Sequence, residues 1–278
     1  MSTFSNLQRR LSWWRPRSAP IADQLIEVDA IFGRLRAFDN DLITRQILQF
    51  GAHTRPELAF LLNFIDGGDA VFDLGAHIGT FTIPIAQKVG KSGRVVAVEG
   101  DSSIYQVLVE NVRNNSLSEI VSAYNMVIAP ANSSPRYRKR NTGATFFEAK
   151  ASSDHASCNG LDDIVGMSLE PNVIKIDIEG LEGWAILHSS YITKSKPILY
   201  VEVANRHWER FGINVDDLHN HLRLIGYRFF RNSGPRNARN DNFTISELAT
   251  LSSASKVYDF LAIHNSNPRM SRTGHPVS

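Results

Sequence analysis

The chain has 278 residues, of which 42% are hydrophobic, and carries 30 Lys+Arg against 28 Asp+Glu for a formal net charge of +2. That length and apolar content suit one α/β domain with extensions and a full core. The near-balanced charge argues against a strongly basic nucleic-acid footprint, so no nucleic-acid partner is expected. The single cysteine, Cys158, excludes an intramolecular disulfide framework and fits a reducing, cytoplasmic location. No run approaches the ~20 apolar residues that span a bilayer, and no cleavable secretory signal is visible.

Residues 1–20 hold Arg9, Arg10, Arg15 and Arg17 with Phe4, Trp13 and Trp14 and no acid. They read as a basic, disordered tail, with peripheral membrane contact as the sharper alternative. A helix is expected from Ile21 to about Phe32, a short strand over Gly33–Phe38, and helices over Ile43–Phe50 and Arg55–Ile65. Thr54 stands as N-cap of the last, with Glu57 completing a capping box and Pro56 at the first helical position.

A repeating pattern follows. Strands are expected at Ala70–Leu74, Arg94–Glu99, Ile120–Ile128, Val173–Asp177, Ile198–Val203, Tyr227–Phe230 and Val257–His264. Helices are expected between them at Thr80–Val89, Ile104–Asn114, Leu181–His188 and Val215–Leu224. Alternation of this kind builds a doubly wound, mostly parallel, seven-stranded sheet of Rossmann-like α/β type, here with an N-terminal helical extension. The last two strands lack a helix between them and are free to pair antiparallel at one edge. One domain is expected over residues 21–264 and a polar tail over 265–278. The insertions 131–160, with Arg136-Tyr137-Arg138-Lys139-Arg140, and 232–242 interrupt the pattern; the basic run reads as a solvated loop.

The first strand ends Val71-Phe72-Asp73-Leu74-Gly75-Ala76-His77-Ile78-Gly79, and the second ends in Glu99. The turn lacks the G-x-G-x-x-G of a dinucleotide site and places an acid where a pyrophosphate would be repelled. It suits a ligand with a cationic amine, such as S-adenosylmethionine. A turn that binds nothing explains the glycines but not acids at two successive strand ends. Asp73 is expected to face the methionine amino group, Glu99 to hold the ribose, and Gly75, Ala76, His77 and Gly79 to form the backbone wall. Adenine is expected near Ile128. Ligands of such sheets lie beyond the carboxyl ends of the strands, where Asp73, Glu99, Asp177, Glu179, Glu182 and Glu202 collect with His77 and His207.

Three segments in order, D-L-G-A-H-I-G-T-F, V-V-A-V-E-G and K-I-D-I-E-G-L-E followed by P-I-L-Y-V-E-V, make the chain from about Ile31 to His264 similar to the FkbM family of S-adenosylmethionine-dependent methyltransferases. The resemblance implies a class I methyltransferase fold and O-methylation of a hydroxyl on a sugar, polyketide or other small metabolite. Two positions depart from the family pattern: His77 stands where asparagine is usual, and Gly100 where proline is usual.

Methyl transfer requires an aligned acceptor and removal of its proton. Glu179 is the first choice of base, followed by Asp177, Glu202 and His207. A divalent cation shared by Asp177 and Glu202 is the less favoured variant. A catalytically inactive scaffold with the same fold is the competing reading.

Overall fold

The computed structural model describes residues 24–39, 41–130, 135–139, 145–149, 157–203, 208, 211–251 and 258–274; within 135–139, 145–149 and 157–158 it describes the backbone. The N-terminal tail, His207 and the last four residues lie outside the described residues.

The chain opens with a hairpin, β1 (Leu25–Ala30) and β2 (Gly33–Phe38), where a helix was expected over the first part. Alternation decides it: Leu35 and Ala37 are buried while Arg34 and Arg36 lie on the other side, a period of two that only a strand can present as faces. Helices α1 (Leu42–Phe50) and α2 (Arg55–Leu62) follow. The expected capping box at α2 is absent. Thr54 adopts φ +40° and makes no side-chain cap, and Glu57 instead bonds the Tyr200 hydroxyl at 3.1 Å and the Asn232 amide at 3.1 Å.

The doubly wound core then alternates β3 (Ala70–Leu74), α3 (Thr82–Val89), β4 (Arg94–Glu99), α4 (Ser102–Asn114) and β5 (Val121–Ile128). Beyond β5 come a hairpin of β6 (Pro135–Lys139) and β7 (Thr145–Ala149), then β8 (Ser157–Asn159) and α5 (Leu161–Met167). The second half is β9 (Val173–Ile176), α6 (Glu182–Leu187), α7 (Ser190–Ser195), β10 (Ile198–Val203), α8 (Val215–Leu224), β11 (Tyr227–Asn232), β12 (Ile245–Leu248) and β13 (Tyr258–His264).

Nine strands form one sheet in the order β12-β11-β13-β10-β9-β3-β4-β5-β8. The seven expected strands are its centre, with short β12 and β8 added at the edges. From β10 to β8 neighbours are parallel; β13 runs antiparallel to both β10 and β11, as the missing crossover helix requires. The strand order turns back between β3 and β9, which places the ligand crevice over their carboxyl ends.

Two apolar clusters cover the sheet. One face packs Val71, Val95, Val173, Tyr200 and Leu261 against the N-terminal hairpin, α1, α2, α3 and α4. The other packs Phe72, Val96, Ile174, Val201 and Phe260 against α5, α6, α7 and α8. The N-terminal hairpin is tied to the first face through Asn111 of α4. Its fully buried amide accepts from Arg36 N at 2.7 Å and donates to the carbonyls of Arg36 and Ile78, both at 2.9 Å.

The expected C-terminal polar tail is also corrected. Pro268–Thr273 is a 3₁₀ turn docked by charge: Arg269 reaches both oxygens of Asp69 at 2.7 Å and Asp66 at 2.8 Å, and Arg272 pairs with Asp66.

Candidate active site

Side chains alternate along a strand, so the residues in step with Val71, Val95, Val173, Tyr200 and Leu261 share one face. At the carboxyl edge that face carries Asp73, Glu99, Lys175, Glu202 and Asp259 in a polar row. Antiparallel β13 joins the row with its first residues, since Asp259 is the register partner of Glu202.

Asp73 is not placed as expected. Its carboxylate is fully buried, accepts the Thr82 hydroxyl at 2.6 Å and stands 3.0 Å from Lys175 Nζ. Asp73 and Lys175 are register partners on β3 and β9, so their side chains project side by side and neutralise each other inside the protein. Lys175 also reaches the Gly75 carbonyl at 3.2 Å, lies 3.8 Å from Asp177, and sits 5.3 Å from the centre of the Phe81 ring. Burial opposes its charge, but Asp73 and Asp177 outweigh this and hold the ammonium above the ordinary lysine value.

The Gly75 turn is fixed by backbone proximity. Gly75 has φ +80°, and a Cβ there would overlap the carbonyl oxygen of Asp177. The amides of Gly75 and Ala76 both donate to the Val98 carbonyl at 2.9 Å, that of Gly79 to Ala76, and that of His77 to Glu99 Oε2 at 2.9 Å. These four donors are therefore engaged within the protein and leave no nest for a phosphate, which disfavours a dinucleotide. Glu99 accepts a second amide, from Asp101, at 2.8 Å. Burial lifts its carboxyl to about 7, against the pull of those two amides. Each oxygen keeps a lone pair for a further donor such as a ribose hydroxyl. His77 adopts φ +50°, and its Nδ1 is buried without a partner; burial lowers its pKa, leaving the ring neutral. Asp73, held by Lys175 and Thr82, is not available to the methionine amine as expected, and the residues left at this turn, with Glu99, fit a phosphate-free nucleoside. Ile128 is buried at the end of β5 within the second apolar cluster, beside Leu161 and Ile164.

Asp177 and Glu179 lie on the loop after β9. Glu179 has φ +58° and Gly180 φ +114°, a costly conformation that Glu182 braces. The buried Glu182 carboxylate accepts the amides of Ile178 at 2.8 Å and Gly180 at 3.0 Å, and the Trp208 indole at 2.7 Å. Glu182 is thus a loop brace rather than a reacting group. Burial, then Asp177 and Glu182, push Glu179 up to about 8.

On the far side of Asp177, Glu202 receives Arg236 Nη2 at 3.3 Å, and Asp259 receives Arg236 Nη1 at 2.7 Å. Burial, then Asp177, raise Glu202 well above the usual carboxylate range. Arg236 belongs to the loop after β11, whose ends are held by Asn232 Oδ1 through the amides of Gly234 at 2.9 Å and Thr244 at 3.1 Å. This loop is fastened to the N-terminal extension: Arg55 grips Asp241 at 2.7 and 3.3 Å, Arg239 bonds the Gln49 carbonyl at 2.9 Å, and Asn232 bonds Glu57. Two segments far apart in sequence therefore form one roof over the polar row.

The structure brings together Glu99 and His77 at the first turn, and Asp177, Glu179 and Glu202 beyond it. Sequence reasoning missed Lys175, Arg236, Asp259, Glu57 and His53, the last of which lies near Arg236, Asp177 and His77. The lysine inside Val173-Ile174-Lys175-Ile176 was a legible signal, since an unpaired lysine is not tolerated in a doubly covered strand. Among the described residues no group of three or more His, Cys, Asp and Glu could hold a metal ion. Nor, among them, is any helix long and apolar enough to cross a membrane.

Comparison with known proteins assigns the class. A family model described as the TRM5/TYW2 methyltransferase domain matches residues 45–133, the stretch that holds the β3 turn and Glu99. The 23S rRNA (uracil(1939)-C(5))-methyltransferase RlmD of Acinetobacter baylyi is 39% identical over 64 residues, 23% of this chain and 14% of that protein. Its counterpart in Psychrobacter arcticus is 36% identical over 62 residues, 22% of this chain and 12% of that protein. The chain thus spans about one seventh or less of the curated relatives it matches. Among solved structures, TYW2 of P. horikoshii in complex with MeSAdo aligns over 87% of this chain and 72% of that one, at 12% identity and TM-score 0.44. The methyltransferase FkbM of Methylobacillus flagellatus aligns over 79% and 53%, at 18% identity and TM-score 0.46.

The fold is that of a class I methyltransferase, and the matched segment is a methyltransferase domain dependent on S-adenosylmethionine. The family model that matches is described as the TRM5/TYW2 methyltransferase domain, over residues 45–133. The expectation of a small hydroxyl-bearing acceptor and no nucleic acid is corrected as well, because the relatives that match by sequence are named as rRNA methyltransferases.

Proposed function

We propose that this chain transfers a methyl group from S-adenosylmethionine to RNA, with Glu179 as the group that takes the acceptor's proton. The cofactor supplies an electrophilic methyl on a cationic sulfur. Glu99 and the His77 turn hold its nucleoside; Asp177 and Glu179 line the side from which the acceptor approaches. With Glu179 held near 8, its proton-accepting form grows as pH rises through about 8, so turnover is expected to rise over that range.

What supports the RNA reading is the match of residues 45–133 to the TRM5/TYW2 methyltransferase domain and of a 64-residue stretch to a relative named as an rRNA methyltransferase. After β5 ends at the ligand edge, β6 and β7 pair antiparallel, and the sequence there contains Arg136, Arg138, Lys139 and Arg140 with Tyr137, Phe146 and Phe147. Cations hold phosphates and aromatic rings stack bases, while buried carboxylates accept from base N–H groups. The FkbM-like motifs bear on the cofactor half of the domain and leave the acceptor to these other elements.

The test is methyl transfer from tritiated cofactor to RNA, protein and small-molecule fractions of one cell extract. Label is expected in RNA, and Glu179→Gln is expected to lower turnover by about 10²–10⁴ with cofactor affinity retained. Label confined to another fraction refutes the acceptor. Turnover of Glu179→Gln within about tenfold of wild type refutes the base.

A further inference from the structure

Among the described residues four buried side-chain atoms lack a hydrogen-bond partner: His53 Nδ1, His77 Nδ1, Asp73 Oδ1 and His221 Nε2. His77 Nδ1 and Asp73 Oδ1 stand at the carboxyl edge of β3, His53 feels the charges of Arg236, Asp177, His77 and Lys175 there, and Asp73 Oδ1 has Lys175 Nζ 3.0 Å away as its counterion. The two imidazoles remain. Buried polar atoms are paired in folded proteins, and those that are not call for an explanation such as a ligand. His77 belongs to the turn that holds the cofactor. His53 does not: it sits between α1 and α2, in the roof that Arg55, Arg239 and Glu57 fasten to the Arg236 loop, and it lies near Asp177, His77 and Arg236.

We propose that His53 reads the acceptor, its Nδ1 accepting a hydrogen bond from an N–H on the edge of the RNA base that receives the methyl. The choice of a donor-bearing edge follows from the surroundings. Asp177 lies close by, Glu179 and Glu202 line the same edge, and carboxylates repel a carbonyl but hold an N–H. Burial, then Arg236, push the imidazole down to about 3. The ring is therefore neutral at working pH and keeps one nitrogen as an acceptor. The identity of the donor rests on the RNA reading above; the contact itself rests on the placement of His53.

The experiment compares the full-length wild type, His53→Phe and His53→Asn in methyl transfer from tritiated cofactor to RNA, protein and small-molecule fractions of one extract, with cofactor affinity measured by calorimetry. The expected result is label in RNA, a KM for RNA raised about tenfold or more in His53→Phe, and a near-normal KM in His53→Asn, whose Oδ1 stands where Nδ1 stands. Cofactor affinity is expected to be unchanged in both variants. A KM of His53→Phe within about twofold of wild type overturns the inference, as does His53→Asn falling as far as His53→Phe, or a loss of cofactor affinity. If wild type labels a fraction other than RNA, the RNA reading fails, and the same comparison on that fraction decides whether His53 binds the acceptor. A wild type that labels no fraction overturns both.

Discussion

Lys175 and Asp73 are register partners on adjacent parallel strands, with Nζ 3.0 Å from Oδ1 and both side chains almost wholly buried. The pair ties β9 to β3 at the point where the strand order turns back, and Lys175 extends the tie to the Gly75 carbonyl. The two halves of the sheet are therefore joined by charge directly beside the Gly75 turn. Removing one partner leaves the other charged in the core. Lys175→Met is expected to cost about 3–5 kcal/mol in chemical denaturation, and Lys175→Met with Asp73→Asn to recover part of it. A cost in the double variant equal to the sum of the costs of Lys175→Met and Asp73→Asn alone would show that the two side chains do not interact.

Gly75→Ala is expected to abolish cofactor binding and lower the melting temperature. A Cβ would overlap the Asp177 carbonyl oxygen, and the residue would have to hold φ +80°. Calorimetry with the cofactor and a thermal melt check both halves. Wild-type affinity in a stable Gly75→Ala protein would mean that the turn is placed differently.

Glu179 gives the unliganded protein a pH dependence. Its folded value of about 8 lies above the ordinary 4.5, so the folded state binds the extra proton. Its contribution to stability is full below about pH 4.5 and is lost as pH rises through about 8. Glu179→Gln is expected to flatten the fall in stability across that window, measured by urea denaturation at fixed salt. An unchanged slope would place Glu179 in water.

The roof predicts a separation of stability from acceptor use. Arg55 and Asp241 form a partly exposed pair, worth about 0–1 kcal/mol to the fold. Asp241→Ala is expected to leave cofactor affinity intact and raise the acceptor KM several-fold, in steady-state assays with each substrate varied. A raised cofactor KM with an unchanged acceptor KM would detach the roof from the acceptor.

Much of the sheet was legible because its central strands are continuous apolar runs ending in acids, a pattern that burial on both faces imposes. Ala70–Leu74, Arg94–Glu99 and Ile198–Val203 fall where the sequence places them. The second strand of the N-terminal hairpin, Gly33–Phe38, falls where the sequence places it, whereas the first was missed because the apolar Ala30-Ile31-Phe32 run reads as helix. Thr54 and Glu57 have the spacing of a capping box, yet Tyr200 and Asn232, more than 140 residues away, claim the glutamate. Asp73 was read as a ligand group because no local pattern reveals that Lys175 is its neighbour. His53, Arg236 and Asp259 come together only through tertiary contacts among the roof, the late loop and an antiparallel strand. Local sequence marks strand ends; it does not mark which charges neutralise one another there.

The account depends on S-adenosylmethionine lying over the ends of β3 and β4 against Glu99. Calorimetric titration of the full chain and of Glu99→Ala with this cofactor tests it most directly. Saturable one-to-one binding by wild type, weakened by about tenfold or more in Glu99→Ala, is the predicted result, the loss being that of hydrogen bonds to a charged or polar carboxyl. Absence of binding by the folded wild type, or equal affinity in the two proteins, would contradict it.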